Sequence, residues 1–207
     1  MKILNLYACI GGNRKLWGDN HEITAVELDP KIAEIYQDYF PNDTVIVGDA
    51  HQYLLENYEK FDFIWASPPC PTHSNVCKIA TYKKDGSFNY RPPYPDMKLY
   101  QEIILLQNFA KPGQLYCIEN VKPYYEPMFR PQIRERHCFW ANFYIHDFPK
   151  AVSKHELNPV EALKMMGYDL SKYTGIDRKK TARNCVLPEV GKHILDSATK
   201  NIQDKLF

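Results

Sequence analysis

The chain has no run approaching the roughly 20 consecutive apolar residues that cross a bilayer, and it opens on a strand-like segment instead of a basic-then-apolar secretion signal. Those absences exclude a helical membrane protein and lead us to expect a cytoplasmic one. Neither sign of charge dominates, since 26 Lys/Arg against 25 Asp/Glu leave a formal net charge of +1. The six cysteines (Cys9, Cys70, Cys77, Cys117, Cys138 and Cys185) show no paired Cys-x-x-Cys spacing and are too sparse for a small secreted scaffold. Free thiols in a reducing compartment and no metal site are the expectation. Internal repeats and low-complexity tracts are missing too. With 207 residues and 44% hydrophobic composition, one well-buried domain fits and two full domains do not.

Charge is unevenly spread along the chain. Residues 1–69 hold 5 Lys/Arg against 11 Asp/Glu, and residues 70–207 hold 21 against 14. Three basic clusters stand out: Lys78, Lys83, Lys84 and Arg91; Arg130, Arg134 and Arg136; Arg178, Lys179, Lys180 and Arg183. Any one of them is equally well a solvated face. Interleaved with Tyr82, Tyr90, Tyr94, Tyr124 and Tyr125, they suit a polyanion with bases to stack on.

The first two-thirds alternates strand-like and helix-like runs, which predicts an α/β fold with a mostly parallel sheet flanked by helices. Strands are expected near 2–6, 23–27, 44–47, 61–66 and 114–119, and helices near 30–39, 51–58 and 97–110. Asp29-Pro30 is a helix start, an N-cap followed by proline at the first helical position. Residues 71–95 lack an apolar period and read as one long loop, a length typical of functional lids. Amphipathic helices follow at 159–166 and 188–202.

Within this frame Ser67-Pro68-Pro69-Cys70-Pro71 presents a thiol on a stiff turn just past the buried run Phe61–Ala66. Functional groups of open α/β sheets gather at the carboxyl ends of strands, so Cys70 is placed to act as a nucleophile. The same residue would also serve as a small buried hydrophobe. After the first strand, Tyr7-Ala8-Cys9-Ile10-Gly11-Gly12 forms a glycine-containing turn. A second strand ends at Glu27, an acid suited to ribose hydroxyls, and a third at Gly48-Asp49, suited to a base edge. No G-x-x-x-x-G-K-[ST] is present, which argues against a nucleoside triphosphate, and no full G-x-G-x-x-G, which weakens a dinucleotide. An adenosine-containing cofactor fits the order of what remains.

Taken in order, Leu6–Gly12, Glu27, Gly48-Asp49, Pro68-Pro69-Cys70, Glu119-Asn120-Val121, Gln132-Ile133-Arg134-Glu135-Arg136 and Asn184-Cys185-Val186 resemble the motifs of cytosine-5 DNA methyltransferases. The resemblance spans most of the chain and implies a Rossmann-like fold that uses S-adenosyl-L-methionine. It implies that Cys70 adds to carbon 6 of cytosine while Glu119 protonates or hydrogen-bonds ring nitrogen 3. Arg136 would meet the cytosine carbonyl, with Arg134 lining the site near Cys70, both favouring the thiolate. On the cofactor side it implies Tyr7, Ala8, Gly11, Gly12, Glu27, Asp49, Pro68 and Asn184. Glu27 would face the ribose, Asp49 the adenine amino group and Asn184 the methionine end. The partner implied is DNA with its target base flipped out, the loop after Cys70 closing behind it and Ser74 meeting a phosphate. A monomer in a bacterial or phage-infected cell, with or without a restriction partner, is expected.

Cys9 and Arg183 stand where this family commonly has glycine, and Pro71 where it has glutamine. The larger departure is an interval of only 47 residues, 137–183, between Arg136 and Asn184, where relatives carry a target-recognition domain. The reading is therefore a single catalytic domain over 1–207 with a minimal recognition region within about 142–183. Base choice would fall to the loop 71–95, the basic run 172–183 or a specificity partner. Two alternatives stay open: an RNA cytosine-5 methyltransferase of the transfer-RNA type, and a weakly active nucleic-acid-binding or regulatory member.

Overall fold

A computed structural model of the chain describes residues 1–89, 91, 94–148 and 158–204; Tyr90 and part of the expected recognition region lie outside these. Short apolar runs in the first half form β1 (Lys2–Leu6), β2 (Glu22–Glu27), β3 (Thr44–Val47), β4 (Phe63–Ala66) and β5 (Leu115–Val121). These pair in parallel. β6 (Gln132–Arg134) and β7 (His137–Ala141) complete a sheet of order β3-β2-β1-β4-β5-β7-β6, with β7 antiparallel to both β5 and β6.

Both faces of the sheet are covered, which is why its central strands read as continuous apolar runs and not as alternating ones. On one face Leu4, Leu6, Ile64, Ala66 and Ile118 pack against Leu54 of α2 (Ala50–Asn57) and Leu99, Ile103 and Leu106 of α4 (Lys98–Phe109). On the other, Ile3, Phe63, Trp65 and Phe139 meet Trp17 and the Ile194, Leu195 and Ala198 side of α7 (Pro188–Asp204). α1 (Pro30–Tyr39) begins where the sequence places it, with the Asp29 carboxylate accepting from the Lys31 N–H at 2.9 Å.

Four elements were not legible in the sequence. The motif Gln132–Arg136 and the residues after it turn out to be the β6–β7 hairpin, with Glu135 in the left-handed region (φ 51°) at the bend. Inside the expected loop 71–95 lies a short helix, α3 (Asn75–Ala80). Its apolar Val76 and Ile79 are 69% and 74% exposed, and six residues are too few for a helical period to stand out in the sequence. α6 (Arg178–Asn184) occupies much of the basic run and, with α5 (Pro159–Met165), forms a core around Leu163, Met166, Tyr168 and Ala182 against Ile10 and Ile35. That packing joins the 158–184 segment to the sheet domain.

Candidate active site

β1 and β4 are neighbours from which the chain winds in opposite directions, so the crevice at their carboxyl ends is the switch point where such sheets bind ligands. Into this edge run the end of β1 at Tyr7, β2 at Glu27, β3 at Gly48-Asp49, β4 at Ser67–Cys70 and β5 at Glu119–Val121. The topology thus gathers residues separated by more than 100 positions.

The turn after β1 is held by backbone bonds. The Ala8 N–H donates to Val26 O (3.0 Å) and the Gly11 N–H to Ala8 O (2.9 Å). Glu27 accepts the Cys9 N–H on Oε2 (2.9 Å) and the Asp29 N–H on Oε1 (3.0 Å), pinning two loops with one carboxylate. Each oxygen keeps a second lone pair for a hydroxyl. Tyr7 and Cys9 both adopt positive φ, 56° and 49°. Where the family commonly has glycine, Cys9 therefore takes the left-handed conformation despite its side chain. The glycines have a reason other than ligand approach. A Cβ on Gly11 (φ 80°) would collide with Phe40, and one on Gly12 with the Val186 carbonyl. The latter shows that the segment after Asn184 lies directly on the Gly11-Gly12 turn, although Asn184 itself is exposed at the end of α6.

Asp49 caps α2, accepting the His51 and Gln52 N–H groups at 2.8 and 3.3 Å, and its other oxygen meets Lys98 Nζ at 3.2 Å. Leu28 (71% exposed) and Val47 (55% exposed) offer bare apolar surface beside Glu27 and Gly48. Acids for a ribose and an amino group, flanked by apolar surface for a base plane, fit an adenosyl group. Beneath them lies a cluster the sequence did not reveal. Buried Glu102 accepts from the Tyr7 hydroxyl, meets His51 Nδ1 at 3.0 Å, and leaves Oε2 buried without a hydrogen-bond partner among the described residues. Burial raises the Glu102 carboxyl above its usual range, and the Glu102 bond raises His51. Burial, reinforced by Glu102, also raises Tyr7, which therefore stays a donor.

Cys70 is half-buried on the turn after β4, its carbonyl accepting the His73 and Ser74 N–H groups at 3.0 and 3.1 Å. Pro68 is buried and its carbonyl accepts Asn120 Nδ2 at 2.9 Å. The middle residue of Glu119-Asn120-Val121 thereby ties the strand bearing Glu119 to the turn bearing Cys70. Glu119 is 7% exposed. Ser74 Oγ accepts the Val76 N–H at 3.2 Å, so its hydroxyl already caps the start of α3. His73 is fully buried, its Nδ1 2.5 Å from the Tyr125 hydroxyl and its Nε2 without a hydrogen-bond partner among the described residues; burial lowers its pKa from 6.5.

The two arginines diverge. Arg136 is exposed at the β6–β7 bend. Arg134 does not reach toward Cys70 as expected: its guanidinium donates to the Ile145 carbonyl and, at 3.3 Å, to that of His146, and pairs with Asp147 at 3.3 Å. The bend is the reason: β6 ends at Arg134, and Glu135 at φ 51° turns the chain before Arg136, so the two side chains do not share a strand face. Part of the basic run 172–183 is likewise occupied, with Lys172 on Asp38 (3.0 Å) and Arg178 on the Ser171 and Tyr173 carbonyls (3.2 Å each). Lys83, Lys84 and Arg91 remain exposed beside Tyr82 and Tyr94, which are 58% and 87% exposed.

The family model for C-5 cytosine-specific DNA methylases matches residues 1–133, which carry both the β1 turn and the Cys70 and Glu119 strand ends. The chain belongs to this family. Methyl transfer from S-adenosylmethionine to cytosine of a nucleic acid is accordingly its chemistry, and S-adenosylmethionine its cofactor. Among solved structures it is similar to the Entamoeba histolytica methyltransferase EhMeth, with a TM-score of 0.57, 11% identity and 98% of each chain covered, a likeness of fold. A Spodoptera frugiperda DNMT2 variant is 24% identical over 58% of this methylase and 35% of its own length, with a TM-score of 0.37. A SAM-dependent methyltransferase from Agrobacterium tumefaciens is 13% identical over 60% and 40%, with a TM-score of 0.39. No curated protein matches. Among the described residues no helix is long and apolar enough to cross a membrane, and no group of three His, Cys, Asp or Glu is placed to hold a metal ion.

Proposed function

We propose that this methylase modifies cytosine in DNA, through a covalent adduct to Cys70 formed on a base flipped out of the helix. The observation that supports the reading is the Asn120–Pro68 bond, which ties the strand end that bears Glu119 to the turn that bears Cys70. When bound, S-adenosylmethionine supplies an electrophilic methyl group; Tyr7, Ala8, Gly11, Gly12, Glu27, Asp49, Pro68 and Asn184 would hold it. The Cys70 thiolate forms the bond to carbon 6 as the N3=C4 electrons take a proton at nitrogen 3 from Glu119, leaving a C4=C5 enamine. Once carbon 5 is methylated it loses its proton to a base, Cys70 is eliminated and nitrogen 3 returns its proton to Glu119. Arg136 takes the cytosine carbonyl, and Arg134 acts by holding the hairpin that presents Arg136.

The chain acts as one catalytic domain over 1–207 with a minimal recognition region in about 142–183. Lys83, Lys84 and Arg91 meet the backbone of a DNA partner, with Tyr82 and Tyr94 near its bases. A second reading, RNA as substrate, is favoured by the packing of α5 and α6 into the sheet domain, which leaves little of that region to read a duplex.

Incubation with labelled cofactor and duplex DNA, single-stranded DNA or transfer RNA in competition is expected to label duplex DNA, and Cys70→Ala to label nothing. Preferential labelling of transfer RNA selects the second reading. Label transferred by Cys70→Ala overturns the covalent mechanism.

A further inference from the structure

His137 opens β7, directly opposite Val121 in the antiparallel pairing with β5 and opposite Arg134 of β6. Its ring lies nearly parallel to that of Phe139, with 19° between planes, over a side chain that is fully buried. So supported, His137 Nδ1 stands 2.5 Å from Glu119 Oε1. The Glu119 side chain is 9% exposed and that of His137 30%. Among the described residues Glu119 Oε2 takes no protein hydrogen bond.

We propose that His137 is a positioning residue for the methyl transfer: its Nδ1–H donates to Glu119 Oε1, so that Oε2 is the oxygen left to face cytosine nitrogen 3. This deepens the reading of Glu119 given above and rests on it. A carboxyl group that hands a proton to a ring nitrogen has two equivalent oxygens and, unrestrained, a free rotor. Occupying one oxygen fixes both which atom carries the transferable proton and where it points. It also serves the step itself. As the Oε2–H bond breaks and the N3–H bond forms, the carboxylate left behind in a largely water-excluded site keeps a charge-assisted hydrogen bond from Nδ1. When Cys70 leaves, the proton returns to Oε2, and His137 has exchanged none. The donor is held from outside the strand of Glu119 by the β7 pairing and the Phe139 stack, so it does not move with the group it orients.

The test compares His137→Val, which deletes the donor, with His137→Asn, whose amide nitrogen occupies nearly the place of Nδ1. With a substrate that wild type methylates, His137→Val is expected to lower kcat about 10-fold to 100-fold with cofactor affinity and thermal midpoint unchanged; His137→Asn is expected to recover most of the loss. Nitrogen NMR of the His137 ring in the resting protein should show Nδ1 as the protonated, hydrogen-bonded nitrogen, and Glu119→Ala should abolish that signature. A kcat within twofold of wild type in His137→Val, or equal losses in Val and Asn, overturns the proposal. So does an Nδ1 signature indifferent to Glu119. Failure of the underlying reading shows elsewhere, as absent covalent trapping of wild type on 5-fluorocytosine substrate, whereas here wild type traps and only the rate of the variants changes.

Discussion

The Asn120 side chain spans two strand ends at once: Nδ2 donates to the Pro68 carbonyl at 2.9 Å, and Oδ1 accepts the Val121 N–H at 2.9 Å. Since Asn120 is 2% exposed, neither bond is replaced by water if the side chain is removed. Asn120→Ala should therefore lower unfolding stability by about 1–3 kcal/mol, the cost of burying unpaired polar groups. It should lower kcat more than cofactor affinity, because it loosens Cys70 from Glu119 and leaves the β1 turn alone. Urea unfolding and titration with cofactor separate the two effects.

Arg134 and Arg136 should part company on substitution. Arg134→Leu strips donors from the Ile145 and His146 carbonyls and is expected to act chiefly on stability. Arg136→Leu, on an exposed side chain, should leave the thermal midpoint within a degree or two while lowering kcat/KM at least 10-fold. A matching pair of thermal melts and initial rates checks both.

Tyr7 donates into the buried Glu102 carboxyl, so Tyr7→Phe removes a donor from a group that cannot turn to water. A loss of about 1–3 kcal/mol is expected in urea unfolding. The double variant Tyr7→Phe/Glu102→Leu should regain part of it, since a buried polar group and its partner are removed together.

The same cluster predicts a pH dependence. His51 is raised by its bond to Glu102, and Glu102 by burial, so folding favours protons on both. Their contribution is fully present below the unfolded values and is lost as pH rises through the raised ones. Relative to His51→Gln/Glu102→Gln, wild type should lose stability between pH 5 and pH 8, measured as the difference between two urea series. The His51 side chain is 21% exposed, so the slope will be shallow and salt-sensitive.

His73 works in the opposite sense. Burial lowers its pKa from 6.5, so the unfolded chain takes up a proton that the folded one resists, and stability falls as pH drops through that region. His73→Phe, keeping ring bulk between Tyr100 and Tyr125, should flatten the acid limb of the stability profile between pH 7 and pH 5.

Much of the fold was legible because its signals are local. Phe63–Ala66 is a short apolar run, Asp29-Pro30 carries its own cap, and the α4 stripe Leu99, Ile103 and Leu106 repeats at helical spacing and is buried as that spacing implies. α3 escaped because six residues are too few for a helical period to stand out, even with Val76 and Ile79 at helical spacing. The β6–β7 hairpin escaped because its strands are short and its bend uses Glu135, not glycine, at positive φ.

For the site, the order of motifs along the chain determined the family, the cofactor and the candidates Cys70 and Glu119, since each sits where a strand signal ends. What the tertiary structure alone decided is how these residues are held. Asn120 on Pro68, Tyr7 and His51 on Glu102, Arg134 on the 145–147 turn and His137 on Glu119 are bonds between residues 11 to 95 positions apart. A linear pattern records which chemistry a strand end offers, because composition and periodicity are properties of neighbours. It cannot record which donor meets which oxygen, because that follows from the pairing of strands and the direction in which each side chain leaves the sheet.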